Sequence, residues 1–452
     1  MRFAMIIVFL LLAGCTQNAQ PFISAEDAQI KETVYLAAMR KIVREDTDPP
    51  YQATIKNVAS QPQKDLYLLN RAGEPRADEM VFLVDDLSLP KAAAIGASKV
   101  PLSGLKPNPD QHIAYISRRQ VLKIGSFARQ AWKTYGGGAD KLVLFVHGNN
   151  VNMLEATKRY AKVQQDYQLK EKNIPAVTFI GQSSGIALGY AYDRESLRHD
   201  RTNLEQLVTA LTQHGEIIIV AHSLGSDFVM ETLARISLRG SKKVKEKVKG
   251  VILIAPDLSI EVFKSQIKDV KPLPSNFVVL SHTGDLPLRV SAAIRANKRR
   301  LGLIGTQNKD DLTAASELCS KGVRFVDLKL LKDNNFLNHT NPFTSERTIS
   351  VLKAYINKPD FIDSWIVRKA RQDIADLYQK RESKEVQELG IDFDRVERMA
   401  SKPSENLDSN EAVLEPKNIP RDIVEEYLNN SKSLETSGVC QGSPFRDVRS
   451  ES

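Results

Sequence analysis

The chain has 452 residues, with 63 Lys or Arg against 55 Asp or Glu, for a formal net charge of +8 at pH 7. Its basic residues are spread along the chain and interleaved with acidic ones, which fits a solvated surface and speaks against a nucleic-acid-binding protein. With three cysteines, seven histidines, no HExxH and no clustered Cys/His spacing, it lacks the signatures of a metal site, and Gly136-Gly137-Gly138 lacks the Lys-Ser/Thr of a phosphate loop.

The N-terminus, MRFAMIIVFLLLAGC, has one arginine and an apolar core too short to span a bilayer, so residues 1–14 read as an export signal. Its end, Leu12-Ala13-Gly14-Cys15, resembles the bacterial lipoprotein box. That resemblance implies cleavage before Cys15, which becomes a diacylated first residue, and a lipid anchor in the cell envelope. Thr16 is not the aspartate associated with inner-membrane retention, so an outer-membrane anchor is favoured if the organism is Gram-negative.

Residues 15–138 form an N-terminal extension. A helix is expected over 25–45, before Pro49-Pro50, and mixed polar and apolar runs such as EMVFLVDDL (79–87) follow. Part of the extension supplies the first strands of a sheet; the rest reads as a cap or a small module.

KLVLFVHGNNVN (141–152) reads as a buried strand ending in His147-Gly148, then an Asn-rich turn, with Asn152 and Glu155 spaced for a helix start. Further on, IIIVAHSLGSDFVM (217–230) carries the strongest signal in the chain. Ile217, Ile218, Ile219 and Val220 suit a central parallel strand, and Val229, Leu233 and Ile236 fall at helical spacing before Gly240. Ser223 lies between the two. An alcohol becomes a useful nucleophile when a base takes its proton and a rigid turn presents its oxygen, and a strand-to-helix elbow is such a turn. The N–H of Leu224, with that of Asn149 or Asn150, would then form an oxyanion hole. SKKVKEKVKG (241–250) places five lysines after this helix, in a connection expected to lie away from the site.

The partners of Ser223 should follow in the order acid, then histidine, just past strand ends. Two carboxylates qualify: Asp257 ends VILIAPD (251–257) and Asp285 ends NFVVLSHTGD (276–285). Asp285 is the better placed, in a Gly-Asp turn after the second strand beyond the elbow; Asp257 is the alternative acid. VRFVDL (323–328) reads as the last strand, and His339 lies in the loop NNFLNHTNPF ahead of a helix near 345–356. Among the other histidines, His147 and His222 belong to the two turns, His282 precedes the acid, and His112, His199 and His214 have no strand-end context. Past that helix, Ile366, Ala370, Ile374 and Leu377 make a helical stripe, 403–420 reads as a linker and the end reads as disordered. Whether Cys319 and Cys440 pair is open.

VHGNN (146–150), ALGYAYDRES (187–196) and AHSLG (221–225) together resemble the α/β-hydrolase superfamily, and within it a bacterial esterase/lipase-like group. The resemblance covers roughly residues 140–345, and it implies Asp285 as the acid and His339 as the base. One feature departs from the group's pattern, FIGQSSG (179–185) where the group has Trp-Pro-Ser after the strand, while Ala221 departs from the glycine usual at a nucleophile elbow. The expected architecture is α/β, a mostly parallel sheet with helices on both faces over 139–358, flanked by the extension and a charged helical tail over 359–452. The expected function is a membrane-anchored serine hydrolase that cleaves carboxylic esters without a cofactor. Its substrate is an ester or acyl compound, with lipid among the candidates; an acyltransferase on the same residues, or an inactive envelope lipoprotein, are the alternatives.

Overall fold

The apolar runs form strands, and their alternation sorts side chains to two opposite cores. In the computed structural model β4 (Lys141–Val146), β5 (Ala176–Ile180), β6 (Glu216–His222), β7 (Val248–Ile254), β8 (Asn276–Ser281) and β9 (Val323–Asp327) are all mutually parallel neighbours. The structure describes residues 29–39, 77–90, 115–148, 151, 153–183, 189–295, 299–305, 308–331, 339–357, 374–376, 378–379 and 393. Cys15, Asn149, Asn150, Cys440, the export signal and most of the stripe and tail past 358 lie outside them.

Leu142, Leu144, Val146, Ile217, Ile219 and Ala221 face one core, while Val143, Phe145, Ile218 and Val220 face the other. The first is covered by α1 (Ile124–Trp132), α3 (Tyr190–Thr212), α4 (Gly225–Arg239) and α6 (Ile260–Asp269), through Phe127, Leu207, Phe228 and Phe263 among others. The second is covered by α2 (Met153–Asp166) and α10 (Glu346–Asn357), through Tyr160 and Leu352. Helices on both faces explain why these strands carry no polar face.

The expected helix over 25–45 is instead a strand, β1 (Gln29–Ala38), parallel to β5 and antiparallel to β2 (Val81–Pro90), which pairs with β3 (Tyr115–Leu122). Val34, Leu36 and Ala38 enter one core and Tyr35, Ala37 and Met39 the other. A strand buried on both faces reads as an unbroken apolar run, which periodicity cannot tell from a buried helix. The N-terminal extension therefore supplies three strands of a nine-stranded sheet, in the order β3-β2-β1-β5-β4-β6-β7-β8-β9. Buried Asp85 on β2 pairs with Arg119, its register partner on β3.

From β4 the chain moves outward to β5, then crosses back over β4 to β6 and continues in the other direction. Such a reversal opens a crevice at the carboxyl ends of the two central strands, here β4 and β6. The two sequence turns, His147-Gly148 and Ser223, stand at those ends. Cys319 at the end of α8 (Lys309–Cys319) carries a disulfide whose partner lies outside the described residues.

Candidate active site

Ser223 has φ 54°, a left-handed conformation that a non-glycine residue adopts at a cost. Its backbone is held on both sides: its N–H donates to the Ile254 carbonyl at 2.9 Å, and its own carbonyl accepts the N–H groups of Ser226 and Asp257 at 3.0 and 3.2 Å. Two glycines let the turns close. A Cβ on Gly148 would lie 2.8 Å from the Ser223 Cβ, and one on Gly225 would lie 2.4 Å from the His147 carbonyl oxygen. Ala221, where glycine is usual, is fully buried with its methyl in the first core. Leu224 takes the cap position of α4, where the first N–H groups of a helix have no partner within it.

His339 reaches this turn from far along the chain. Its Nε2 lies 3.0 Å from the Ser223 Oγ and its Nδ1 lies 2.7 Å from the Asp285 Oδ2. A carboxylate at Nδ1 fixes the proton there, so Nε2 presents a lone pair and the serine hydroxyl donates to it. Asp285 is fully buried as the cap residue of α7 (Leu286–Ile294); its Oδ1 accepts the Leu288 N–H at 2.9 Å, which leaves Oδ2 for the imidazole. Burial alone would lower the His339 pKa, but the charge and hydrogen bond of Asp285 outweigh it and hold the ring above its ordinary value.

His222 supports the same ring. Its Nε2 donates to the His339 carbonyl at 2.9 Å, and the two imidazole centroids are 4.7 Å apart. Full burial, reinforced by the neighbouring His339, keeps His222 well below its usual pKa, so it is neutral and can fix the backbone without adding charge. His282 serves the turn before the acid, where its Nδ1 accepts the Gly284 N–H at 3.0 Å. No metal-binding group of His, Cys, Asp or Glu occurs among the described residues.

Residues 134–356 match the family described as "Alpha/beta hydrolase of unknown function (DUF900)". That stretch is an α/β-hydrolase domain. No curated protein matches it. Among solved structures it is similar to a predicted CIB-like hydrolase from Thermoplasma acidophilum, at 14% identity over 49% of this chain and 87% of that one, with a TM-score of 0.30. It is also similar to an esterase from Pyrobaculum calidifontis, at 11% identity over 62% and 81% of the two chains, TM-score 0.29. A fungal esterase structure from Rhizomucor miehei is 12% identical over 70% and 91%, TM-score 0.30.

Within this domain the alternative acid, Asp257, lies beside the elbow but is engaged elsewhere. Its Oδ2 accepts the Tyr190 hydroxyl and its Oδ1 the Ser291 hydroxyl, each at 2.7 Å, and the buried Arg300 guanidinium sits 3.3 Å from Oδ1. Burial and then the Asp257 charge push the Tyr190 phenol up, so it remains a donor. Arg295 lies over the Tyr190 ring and also bonds its hydroxyl. The residues that the sequence reading did not assign are those of the first turn of α3 and the segment after β5. Asp193 accepts the Ser183 hydroxyl, and Arg194 pairs with Asp227 on α4 at 3.6 Å. Gln182 ties Asp200 of α3 to the backbone of Ala77. The signals were the YDRES and GQSSG segments, known by position but without roles. Gln182 and Ser183 therefore make a buried polar clamp.

Proposed function

We propose that this protein is a serine hydrolase that cleaves carboxylic esters through an acyl-enzyme. The observation that carries this reading is the continuous line Ser223 Oγ, His339, Asp285, built on a strained turn. His339 Nε2 takes the hydroxyl proton as Ser223 Oγ bonds to the ester carbon, and the carbonyl π pair moves onto oxygen. The oxyanion would be met by the N–H groups of Leu224, at the start of α4, and of Asn149, which lies outside the described residues. Asp285 stabilises the imidazolium. As the tetrahedral adduct collapses, the alcohol leaves with the proton from Nε2. Water then attacks the acyl-enzyme, giving its proton to His339, and the acid departs as Ser223 is reprotonated.

Reaction with a fluorophosphonate probe tests the reading on signal-free protein. Wild type should be labelled and Ser223→Ala should not, with p-nitrophenyl ester hydrolysis lower by on the order of 10⁶ because such residues act as a unit. A well-folded wild type that resists the probe would end it.

The lipoprotein-like N-terminus supports a second part of the proposal, that acylated Cys15 tethers the enzyme to the bacterial envelope, with the outer membrane favoured. Cells expressing the full chain should incorporate labelled palmitate into it, and Cys15→Ser should not. Equal labelling of both would remove the anchor.

A further inference from the structure

The first turn of α3 carries cations to the strand ends around Ser223. Tyr190 bonds Asp257, whose N–H in turn donates to the Ser223 carbonyl, and Arg194 pairs with Asp227, four residues beyond Ser223 on α4. Residues four apart on a helix share a face, so Tyr190 and Arg194 are neighbours. Arg295, at the C-cap of α7, approaches the same tyrosine: its guanidinium carbon lies 4.7 Å from the ring centroid, and it bonds the hydroxyl. A third guanidinium, that of the buried Arg300, meets the same Asp257.

The charges of this group do not balance. Three guanidiniums pair with two carboxylates, Asp227 and Asp257, and Asp227 also accepts the Gln266 amide. Two further acids of the region are engaged elsewhere, Asp193 with Ser183 and Glu231 with Arg198. Arg194 reaches Asp227 only at 3.6 Å, and the Nε–H groups of Arg194 and Arg300 are buried with no hydrogen-bond partner. Arg295 has the phenol, and no carboxylate among the described residues pairs with it. Burial lowers the Arg300 pKa, and the Arg295 and Arg194 charges lower it further against the pull of Asp257. Cations crowded in this way cost free energy, which an incoming negative charge would recover.

We propose that Arg194 and Arg295, beside Tyr190, form a subsite for an anionic group of the substrate, so that the preferred ester carries a carboxylate or a phosphate. The proposal rests on the serine-hydrolase reading above and names a substrate class for that site. A guanidinium presents paired N–H donors that match either group, and Arg194 keeps 32% of its side chain exposed to receive it. Arg300, at 2% exposure, contributes charge without contact. Binding at a distance from the reacting carbonyl is equal in ground and transition states, so it acts mainly on KM.

The test uses signal-free protein and two matched pairs of esters. p-Nitrophenyl hydrogen glutarate against p-nitrophenyl valerate places a carboxylate in the acyl chain; butyrylglycerol phosphate against butyrylglycerol places a phosphate in the alcohol. Each pair gives an anionic-to-neutral ratio of kcat/KM. Wild type should favour the anionic member of at least one pair by about 10- to 100-fold, the usual worth of a charge-assisted hydrogen bond, and the pair that responds identifies the group. The preference should reside in KM and shrink in about 0.5 M NaCl. Arg295→Gln should lower the ratio by about tenfold, and Arg295→Lys, which keeps the charge, should restore part of it. Ratios near one for both pairs overturn the proposal, as does a preference that Arg295→Gln leaves intact. Equal losses on anionic and neutral esters would mean that Arg295 merely holds Tyr190 in place, and they overturn it too. If Arg295→Gln does not fold, Arg194→Gln takes its place with the same ratios and the same criteria. A wild type that fluorophosphonate does not label defeats the underlying reading; a labelled wild type without the preference defeats this proposal alone.

Discussion

Asp257 and Asp285 each follow an apolar strand at the same edge of the sheet, and both are buried, yet their surroundings differ in kind. Around Asp257 stand Tyr190, Ser291 and Arg300, so both oxygens are taken and its charge is matched by a guanidinium. Around Asp285 stand one imidazole and one helical N–H. A carboxylate already paired with a fixed cation has little field left to give a neighbour, whereas one whose ionic partner is a titrating ring can favour that ring's charged form. Two similar carboxylates thus divide the work: Asp257 secures the scaffold behind the elbow, and Asp285 biases the imidazole.

The sharpest way to break this contrast is to neutralise each acid. Asp285→Asn should lower kcat by about 10⁴, because the amide favours the wrong imidazole tautomer. Asp257→Asn should leave ester hydrolysis by the folded protein near wild type but cost about 3 kcal/mol of stability, since a buried Arg300 loses its counter-charge; urea unfolding with a parallel activity assay reads both. Full activity in the first variant with collapse in the second would reverse the roles.

A smaller effect refines the comparison. In the proposed mechanism hydrolysis requires neutral His339, so kcat/KM should rise with pH through a midpoint above the ordinary imidazole value of about 6.5. Asp285→Asn should move that midpoint down, and Asp257→Asn should move it down less, because the Asp285 charge and hydrogen bond outrank the Asp257 charge among the influences that raise it. An equal displacement would mean that the two acids act on the ring alike.

Much of this site is legible in the order of residues. Runs such as LVLFV and IIIVA announce β4 and β6, since a strand covered on both faces has no polar alternation to hide it. AHSLG marks the elbow, and the position of His339 after the last strand makes it the candidate base. The same principle misled at β1, where VYLAAM, buried on both sides, resembled a helix. The Ser183–Asp193 contact was not legible: a buried serine accepting a backbone N–H leaves no periodicity and no spacing rule.

Sequence by itself determined the parallel strands, the elbow with its serine and the candidate acids and bases, because hydrophobic pattern and turn chemistry are local. The tertiary structure decided which acid faces His339, and that β1 to β3 complete the sheet. Those outcomes depend on how strand ends more than fifty residues apart are brought side by side, on which carboxylate is already matched by a guanidinium and on which face of a doubly buried segment finds a neighbour. Such facts belong to packing, and no single stretch of chain encodes them.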